Sequence, residues 1–214
     1  MDKKLFIFDL DGTLVNTVVD LNNGINYALN KNGYPSKSVD HTAHAIGNGI
    51  FITILRSLPT KDEEATRICL KDFREFYRNH YLDNSFAYPG MKETLIKIKN
   101  SGALLAVATN KLDEIAKKMI NALYPGVFDM IQGDLPNLPK KPDPAIINYI
   151  IKELGVDKEK TTYIGDSEVD ILSAKNAGVD LVLVDYGFHH TDEYLNNNNG
   201  PHISEPSELL KFLS

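Results

Sequence analysis

The 214-residue chain has a single cysteine, Cys69. It can form no intrachain disulfide, and a reducing compartment suits it. No apolar run approaches the ~20 residues of a membrane span. The opening stretch MDKKLFIFDLDGT has a charged head, but its apolar run is too short for a secretory signal. The expectation is a soluble, cytoplasmic protein. A basic block is missing as well. Lys and Arg number 23 against 29 Asp and Glu, a net charge of −6, so no nucleic-acid partner is expected. There is no internal repeat, and Asn196 to Asn199 is the one low-complexity run, read as a surface loop. Apolar residues at 43% and charged residues at 24% exclude a disordered tail, a collagen-like chain and a charged coiled coil. The length fits one large domain, or one domain carrying a small insert.

Several short apolar runs end in turn residues. Leu5-Phe6-Ile7-Phe8 is apolar on both faces and breaks at Asp11-Gly12, the pattern of a buried parallel strand. Ala103 to Ala108, Thr161 to Ile164 and Leu181 to Val184 look the same, and Phe128 to Ile131 is a weaker candidate. Helical patterns lie between them: Met91, Leu95 and Ile98; Ile115, Met119, Ile120 and Leu123; Ala145 to Leu154; Ile171 to Ala177. This alternation predicts an α/β fold with a parallel sheet and right-handed crossovers. Residues from about Val15 to Phe86 break the rhythm. No strand is expected there. Helices are predicted over Val18 to Asn32, Ile50 to Leu58 and Lys61 to Leu82, with Ala65, Ile68, Cys69, Phe73, Phe76 and Tyr77 on one stripe. The simplest organisation is a small helical domain inserted after the first strand, hinged near Val15 and near Ser85 to Pro89.

Ligands of open parallel sheets bind beyond the carboxyl ends of the strands. Those ends carry Asp9-Leu10-Asp11-Gly12-Thr13, Thr109-Asn110-Lys111, Lys140-Lys141-Pro142-Asp143-Pro144, and Gly165-Asp166-Ser167 with Asp170 one turn later. Carboxylates converging on one point repel unless a cation sits among them, and Mg²⁺ prefers oxygen ligands of this kind. Asp9 could attack phosphorus as a carboxylate nucleophile. Asp11, two residues on, shares its side of an extended strand and suits proton transfer. Thr109 and Lys141 supply a hydroxyl and a cation for phosphoryl oxygens. Gly12 permits close approach of backbone amides to an anion.

With these residues in order, the sequence resembles the haloacid dehalogenase-like phosphohydrolase superfamily along its whole length. Asp9 to Thr13 match its DxDGT motif, Thr109 its strand-closing Thr or Ser, Lys141 its lysine before a Pro-rich helix start, and Gly165 to Asp170 its GDSxxD motif. The resemblance implies a Rossmann-like α/β core of five strands in the order 3-2-1-4-5, formed by residues 1–14 and 86–214, with a helical cap at 15–85. It implies an Mg²⁺ cofactor and a small phosphorylated metabolite as substrate. Asp9 would be nucleophile and metal ligand. Asp11 would be the acid/base, binding metal through its main-chain carbonyl. Asp166 would be a metal ligand, and Asp170 a ligand or the group that orients a metal-bound water. Thr109, Asn110 and Lys141 would bind phosphate. A finer similarity is to phosphoglycolate phosphatase-like members, through Ile46-Gly47-Asn48-Gly49, Tyr88-Pro89-Gly90, Thr109-Asn110-Lys111, Leu138 to Pro144 and Tyr186-Gly187-Phe188. Asn16 departs from the Asp that many relatives carry.

Plainer readings stand beside these. Gly47, Asn48 and Gly49 are either a helix–helix turn or a cap loop facing the phosphate site. Arg56, Arg74 and Arg78 are assigned to solvated helix faces, with a substrate carboxylate as the competing reading. Cys69 is assigned to core, and His189 and His190 to a loop. A phosphomutase, a pyrophosphatase or nucleotidase, and a non-catalytic phosphate sensor are the alternative functions. Substrate identity and oligomeric state are not legible.

Overall fold

In the first strand every residue is buried, and its side chains divide between two cores by the period-two rule. The computed structural model describes residues 4–189 and 200–213. His190, Thr191, Asp192 and the Asn196 to Asn199 run lie outside the described residues. Phe6 and Phe8 of β1 (Leu5–Phe8) join Leu105 and Val107 in one apolar cluster, while Leu5 and Ile7 join Ala106 and Ala108 in another. The first cluster is closed by α5 (Met91–Asn100) and α6 (Asp113–Leu123), the second by α7 (Ala145–Leu154) and α8 (Glu168–Ala177). The sheet is therefore sandwiched between two helical layers, which explains why its strands read as unbroken apolar runs.

The remaining strands of that sheet are β4 (Leu104–Leu112), β5 (Met130–Asp134), β6 (Thr161–Gly165), β7 (Asp180–Val184) and β8 (His202–Ile203). The order is β5-β4-β1-β6-β7-β8, all parallel. The first five strands in chain order of this sheet follow 3-2-1-4-5 as expected. The two-residue β8 adds a sixth strand, too short to leave an apolar run in the sequence. β4 runs four residues past the expected end at Ala108. Its pairing with β1 stops at Val107, and its register with β5 shifts between Ala108 and Leu112. Thr109, Asn110 and Lys111 thus stand on extended backbone beyond the last rung shared with β1.

Between β1 and α5 lie α1 (Val18–Lys31), α2 (Val39–Ala45), α3 (Ile50–Ser57) and α4 (Glu63–His80). A third apolar cluster joins Leu21, Ile25 and Leu29 of α1, Ile54 of α3, and Cys69, Phe73 and Tyr77 of α4, with Ile115 reaching in from α6. α4 begins where Asp62 accepts hydrogen bonds from the amides of Glu64 and Ala65, at 2.7 and 3.0 Å.

One expectation for this stretch is corrected. β2 (Val15–Asn16) and β3 (Phe86–Ala87) pair antiparallel, so the two points where the chain enters and leaves the helical segment form a ribbon. The sequence hides it because two rungs show no periodicity. Beside the ribbon, the buried Asp20 accepts bonds from the backbone and side chains of both Asn84 and Ser85, at 2.7 to 3.0 Å. Burial alone would raise the Asp20 pKa, but these donors hold it below the usual carboxylate value. Among the described residues no helix is long and apolar enough to cross a membrane.

Asp20 is the polar staple of this junction. Asp20→Ala should lower unfolding stability by about 3 kcal/mol, because it strands buried donors that had a charged acceptor. Urea denaturation at neutral pH checks this; an unchanged midpoint would show that water replaces the carboxylate at no cost.

Candidate active site

The ends of β1, β4 and β6 and the turn before α7 converge on one buried lysine. Lys141 Nζ lies 2.8 Å from Asp9 Oδ1 and 2.8 Å from Asp170 Oδ1, and donates to the Tyr163 hydroxyl at 2.8 Å. Burial alone would lower its pKa. Asp170 and Asp9 overturn that and hold Lys141 charged, above the ordinary lysine value. Asp9, Asp166 and Asp170 are all buried, and each offers an oxygen within 4.8 Å of the others. One ammonium against three carboxylates leaves an excess of negative charge. Burial, with Asp170 and Asp166 adding repulsion and Lys141 opposing, pushes Asp9 up to about 7. Burial and Asp170 push Asp166 up to about 7, although the Phe188 amide and the Thr13 hydroxyl oppose the rise.

The Asp170 carboxylate is fully engaged. Oδ1 accepts from Lys141 and from the Tyr163 hydroxyl, the latter at 3.0 Å. Oδ2 accepts from the amides of Asp166 and Ser167, at 3.2 and 3.1 Å, and from the Ser167 hydroxyl at 2.6 Å. Burial raises its pKa, but Lys141, Ser167 and Tyr163 outweigh that and keep it below the usual value. The same carboxylate caps the start of α8, which is why an acid sits three residues after Ser167.

Asp166 is held from two sides. Thr13 Oγ1 donates to Oδ1 at 3.2 Å and the Phe188 amide donates to Oδ2 at 2.8 Å. A methyl at Gly12, whose φ is +89°, or at Gly187 would collide with the Asp166 side chain. Glycine at both positions is thus explained by close approach to a carboxylate. The Tyr186-Gly187-Phe188 motif, which sequence reading used only for resemblance, here supplies the amide that orients Asp166.

Asp11 is only partly buried and faces a cleft. Its Oδ1 accepts from Thr17 Oγ1 at 2.6 Å and from Lys111 Nζ at 2.9 Å. Among the described residues its Oδ2 has no partner. Lys111 Nζ also donates to the Tyr77 hydroxyl of α4 at 2.9 Å. Burial pushes Tyr77 up to about 12, so it stays a neutral phenol. Burial would lower Lys111, but Asp11 and Tyr77 reverse this and keep it above the ordinary lysine value. Sequence reading gave no role to Lys111, Tyr77 or Tyr163. Lys111 lies within the Thr109-Asn110-Lys111 motif, and the two tyrosines sit at apolar-patterned positions.

Thr109 is buried and accepts from the Lys111 amide at 3.2 Å. Asn110 has a structural part beside the phosphate role expected of it. Its side-chain amide donates to the Gly47 and Lys141 carbonyls and accepts from the Lys141 amide, at 2.9 to 3.0 Å. That side chain holds the Lys141 turn and the Gly47 loop, and Asn110 also lines the cleft. Gly47 and Gly49 line the cleft together with Asp9, Asp11, Thr109 and Lys111. The Asn48 side chain instead accepts from Arg56 at 2.8 Å, and Arg56 also donates to the Ala45 carbonyl. His189 lies in the turn after β7, as expected of a loop residue, and is buried there.

A family model described as haloacid dehalogenase-like hydrolase matches residues 6–184. A phosphoglycolate phosphatase of Aquifex aeolicus is 31% identical over 215 residues, covering 98% of this chain and 96% of its own length. A phosphoglycolate phosphatase of Vibrio cholerae is 34% identical over 203 residues, covering 90% and 89%. A crystal structure of a candidate phosphoglycolate phosphatase from Lactobacillus delbrueckii subsp. bulgaricus superposes with a TM-score of 0.94 at 26% identity, covering 100% of this chain and 99% of that one.

The charge excess has a thermodynamic signature. Asp9 and Asp166 titrate near 7 in the fold and near 3.8 when exposed. Their contribution to stability is fully present below about 4 and is lost as pH rises through 7. Asp170, shifted the other way, contributes above its unfolded value and fails in stronger acid. In a chelator, the melting temperature should rise from pH 8 to about pH 5, and Asp166→Asn should flatten the rise. A wild-type profile identical to that of Asp166→Asn would refute the electrostatic account.

Proposed function

The chain belongs to the haloacid dehalogenase-like hydrolase family, and from that premise we propose that it is a phosphatase. It hydrolyses a small phosphomonoester through a phosphorylated Asp9, with Mg²⁺ as cofactor. The observation that carries the reading is the convergence of three buried carboxylates and one buried lysine beside the open side of Asp11. A site that merely bound phosphate would gain nothing from carboxylates that repel it.

The donor set fits a hard divalent cation, since Asp9 and Asp166 are buried, oxygen-only and short of positive charge. Both side chains, with the main-chain carbonyl of Asp11, would hold Mg²⁺, which when bound neutralises charge on the phosphoryl group. Asp170 is read as a positioning residue rather than a ligand, because its oxygens already accept five bonds. It orients Lys141 and fixes the amides that begin α8.

The chain's own residues then divide the work. Lys141 holds Asp9 Oδ1, which leaves Oδ2 to attack phosphorus. Lys141 and the Thr109 hydroxyl stabilise the non-bridging oxygens as charge moves onto them. The bond from phosphorus to the ester oxygen breaks, and Asp11 gives that oxygen a proton from Oδ2, the atom not tied to Thr17 or Lys111. Asp11 then takes a proton from water as the water attacks the phosphorus on Asp9. The Asp9 oxygen is released with its electron pair, returning free carboxylate, inorganic phosphate and the alcohol. Residues 15–85 act as a helical cap over a core made of 1–14 and 86–214. The cap presents the Gly47 and Gly49 backbone to the cleft and sheds water when a substrate is enclosed.

Phosphate release from phosphoglycolate and other small phosphomonoesters, with and without Mg²⁺, tests this. Release should require the metal, and Asp9→Asn should lower kcat by about 10³-fold or more while leaving the melting temperature near wild type or above it. A folded Asp9→Asn protein with wild-type turnover would remove Asp9 as nucleophile. Mg²⁺ should also raise the melting temperature more at pH 8 than at pH 6, because below 7 protons compete for Asp9 and Asp166.

A further inference from the structure

Four Asn-Gly pairs occur in the chain, at Asn23, Asn32, Asn48 and Asn199. Such a pair can modify itself, because the glycine amide nitrogen, shielded by no side chain, can attack the asparagine side-chain carbonyl. A hydrogen bond on the attacking amide holds the reaction off, and so do bonds that fix the asparagine side chain. Asn199 lies outside the described residues. The structure separates the other three.

Gly24 lies inside α1, where its amide belongs to the helix ladder. The Gly33 amide donates to the Asn30 carbonyl at 3.1 Å, and the Asn32 side chain donates to the Ala28 carbonyl at 2.8 Å and to Asp72 at 2.7 Å. Asn48-Gly49 differs on both counts. Among the described residues neither the Gly49 amide nor the Asn48 side-chain nitrogen has an acceptor. The Asn48 side-chain oxygen accepts from the Arg56 guanidinium at 2.8 Å, which draws electrons from the carbon to be attacked. Gly49 immediately precedes α3, so its amide sits at the positive end of that helix and gives up its proton more readily. Its φ of +84° favours glycine, which keeps in place the small residue that the attack needs.

We propose that Asn48-Gly49 is a self-modification site, at which a neutral amide beside the cleft becomes a carboxylate. The Gly49 nitrogen bonds to Asn48 Cγ as its proton passes to water. The Cγ–Nδ2 bond breaks, and Nδ2 takes a proton and leaves as ammonia. Water then opens the cyclic imide at either carbonyl. Opening at Cγ leaves aspartate. Opening at the main-chain carbon leaves isoaspartate, with one more carbon in the backbone. Either carboxylate cancels the charge of Arg56. The longer backbone also disturbs a loop that is held on both sides, since the Gly47 carbonyl accepts from Asn110 at 3.0 Å and the Gly49 carbonyl from the Thr53 amide at 3.2 Å. Both changes weaken the hold on an anion in the cleft that Gly47 and Gly49 line. This last consequence rests on the phosphatase reading; the modification itself does not.

The full chain is held in mildly alkaline buffer made with water carrying heavy oxygen, and samples are mapped by peptide mass spectrometry. Labelled acid should accumulate at Asn48 about tenfold or more faster than at Asn23 and Asn32, since a bonded amide must open before it can attack. In urea the three rates should draw together, because the fold no longer distinguishes the pairs. Equal rates in the folded protein, or a ratio that survives unfolding, would overturn the site. Wild type in which Asn48 has reacted should show a KM for its best phosphomonoester raised by about twofold or more, the worth of one exposed charge. Asn48→Gln held alongside should keep its own starting KM. An unchanged KM in the reacted wild type would overturn the effect on the cleft. If no ester is hydrolysed at any stage, the phosphatase reading fails by itself, and the mapping still decides the modification.

Discussion

Everything at the candidate site is arranged around the Lys141 ammonium. It is the cation that Asp9 and Asp170 share, and each of these groups would be costly to bury alone. Because Lys141 must sit between β1 and α8, the turn that carries it has to be pinned, and Asn110 does this with two bonds from the neighbouring strand. Tyr163, one strand over, bridges Lys141 and Asp170 and leans on the Ala108 carbonyl at 3.3 Å. The lysine therefore ties the middle strands of the sheet to one another through side chains, beyond the ladder.

The cleft beside it owes its character to a change of material. The sheet ends supply acids, a hydroxyl and two lysines. The helices between β2 and β3 supply apolar side chains and guanidinium groups. Ile115 is where the two meet, since it belongs to α6 yet packs into the apolar cluster of α1, α3 and α4. Lys111 is the polar counterpart of that contact, because it joins Asp11 on one side to Tyr77 of α4 on the other. A small displacement of α4 would change what Lys111 touches, and with it the environment of Asp11.

The sheet was legible because burial on both faces leaves an unbroken apolar run, as in Leu5 to Phe8. The gathering of Asp9, Asp11, Thr109, Lys141, Asp166 and Asp170 in one place was legible because these residue types recur in order at the strand ends and in the turn before α7. Other features left no mark. α2 reads VDHTAHA, which has almost no apolar stripe, and it forms because Ser38 caps it and Thr42 bonds Asn22 of α1. The β2–β3 ribbon joins residues 70 and 72 apart through two rungs. Tyr163 and Tyr77 sit at positions whose periodicity says core; both are buried, but the working part of each is its hydroxyl. The phosphate role of Asn110 is what the resemblance implies, and only its neighbours reveal that its side chain also holds the Lys141 turn and the Gly47 loop.

The ribbon has a consequence for how such a chain can change over generations. Val15 opposes Ala87 and Asn16 opposes Phe86, so a long helical excursion begins and ends at adjacent points on the backbone. To the sheet, this excursion is equivalent to a hairpin turn, and its length hardly enters the cost of closing it. Helices α1 to α4 can lengthen, shorten or be replaced without shifting the register of β1 against β4 and β6. The charged residues at the sheet ends and those that the helices bring to the cleft are thus free to be inherited at different rates, one set held by mutual charge and the other open to trial.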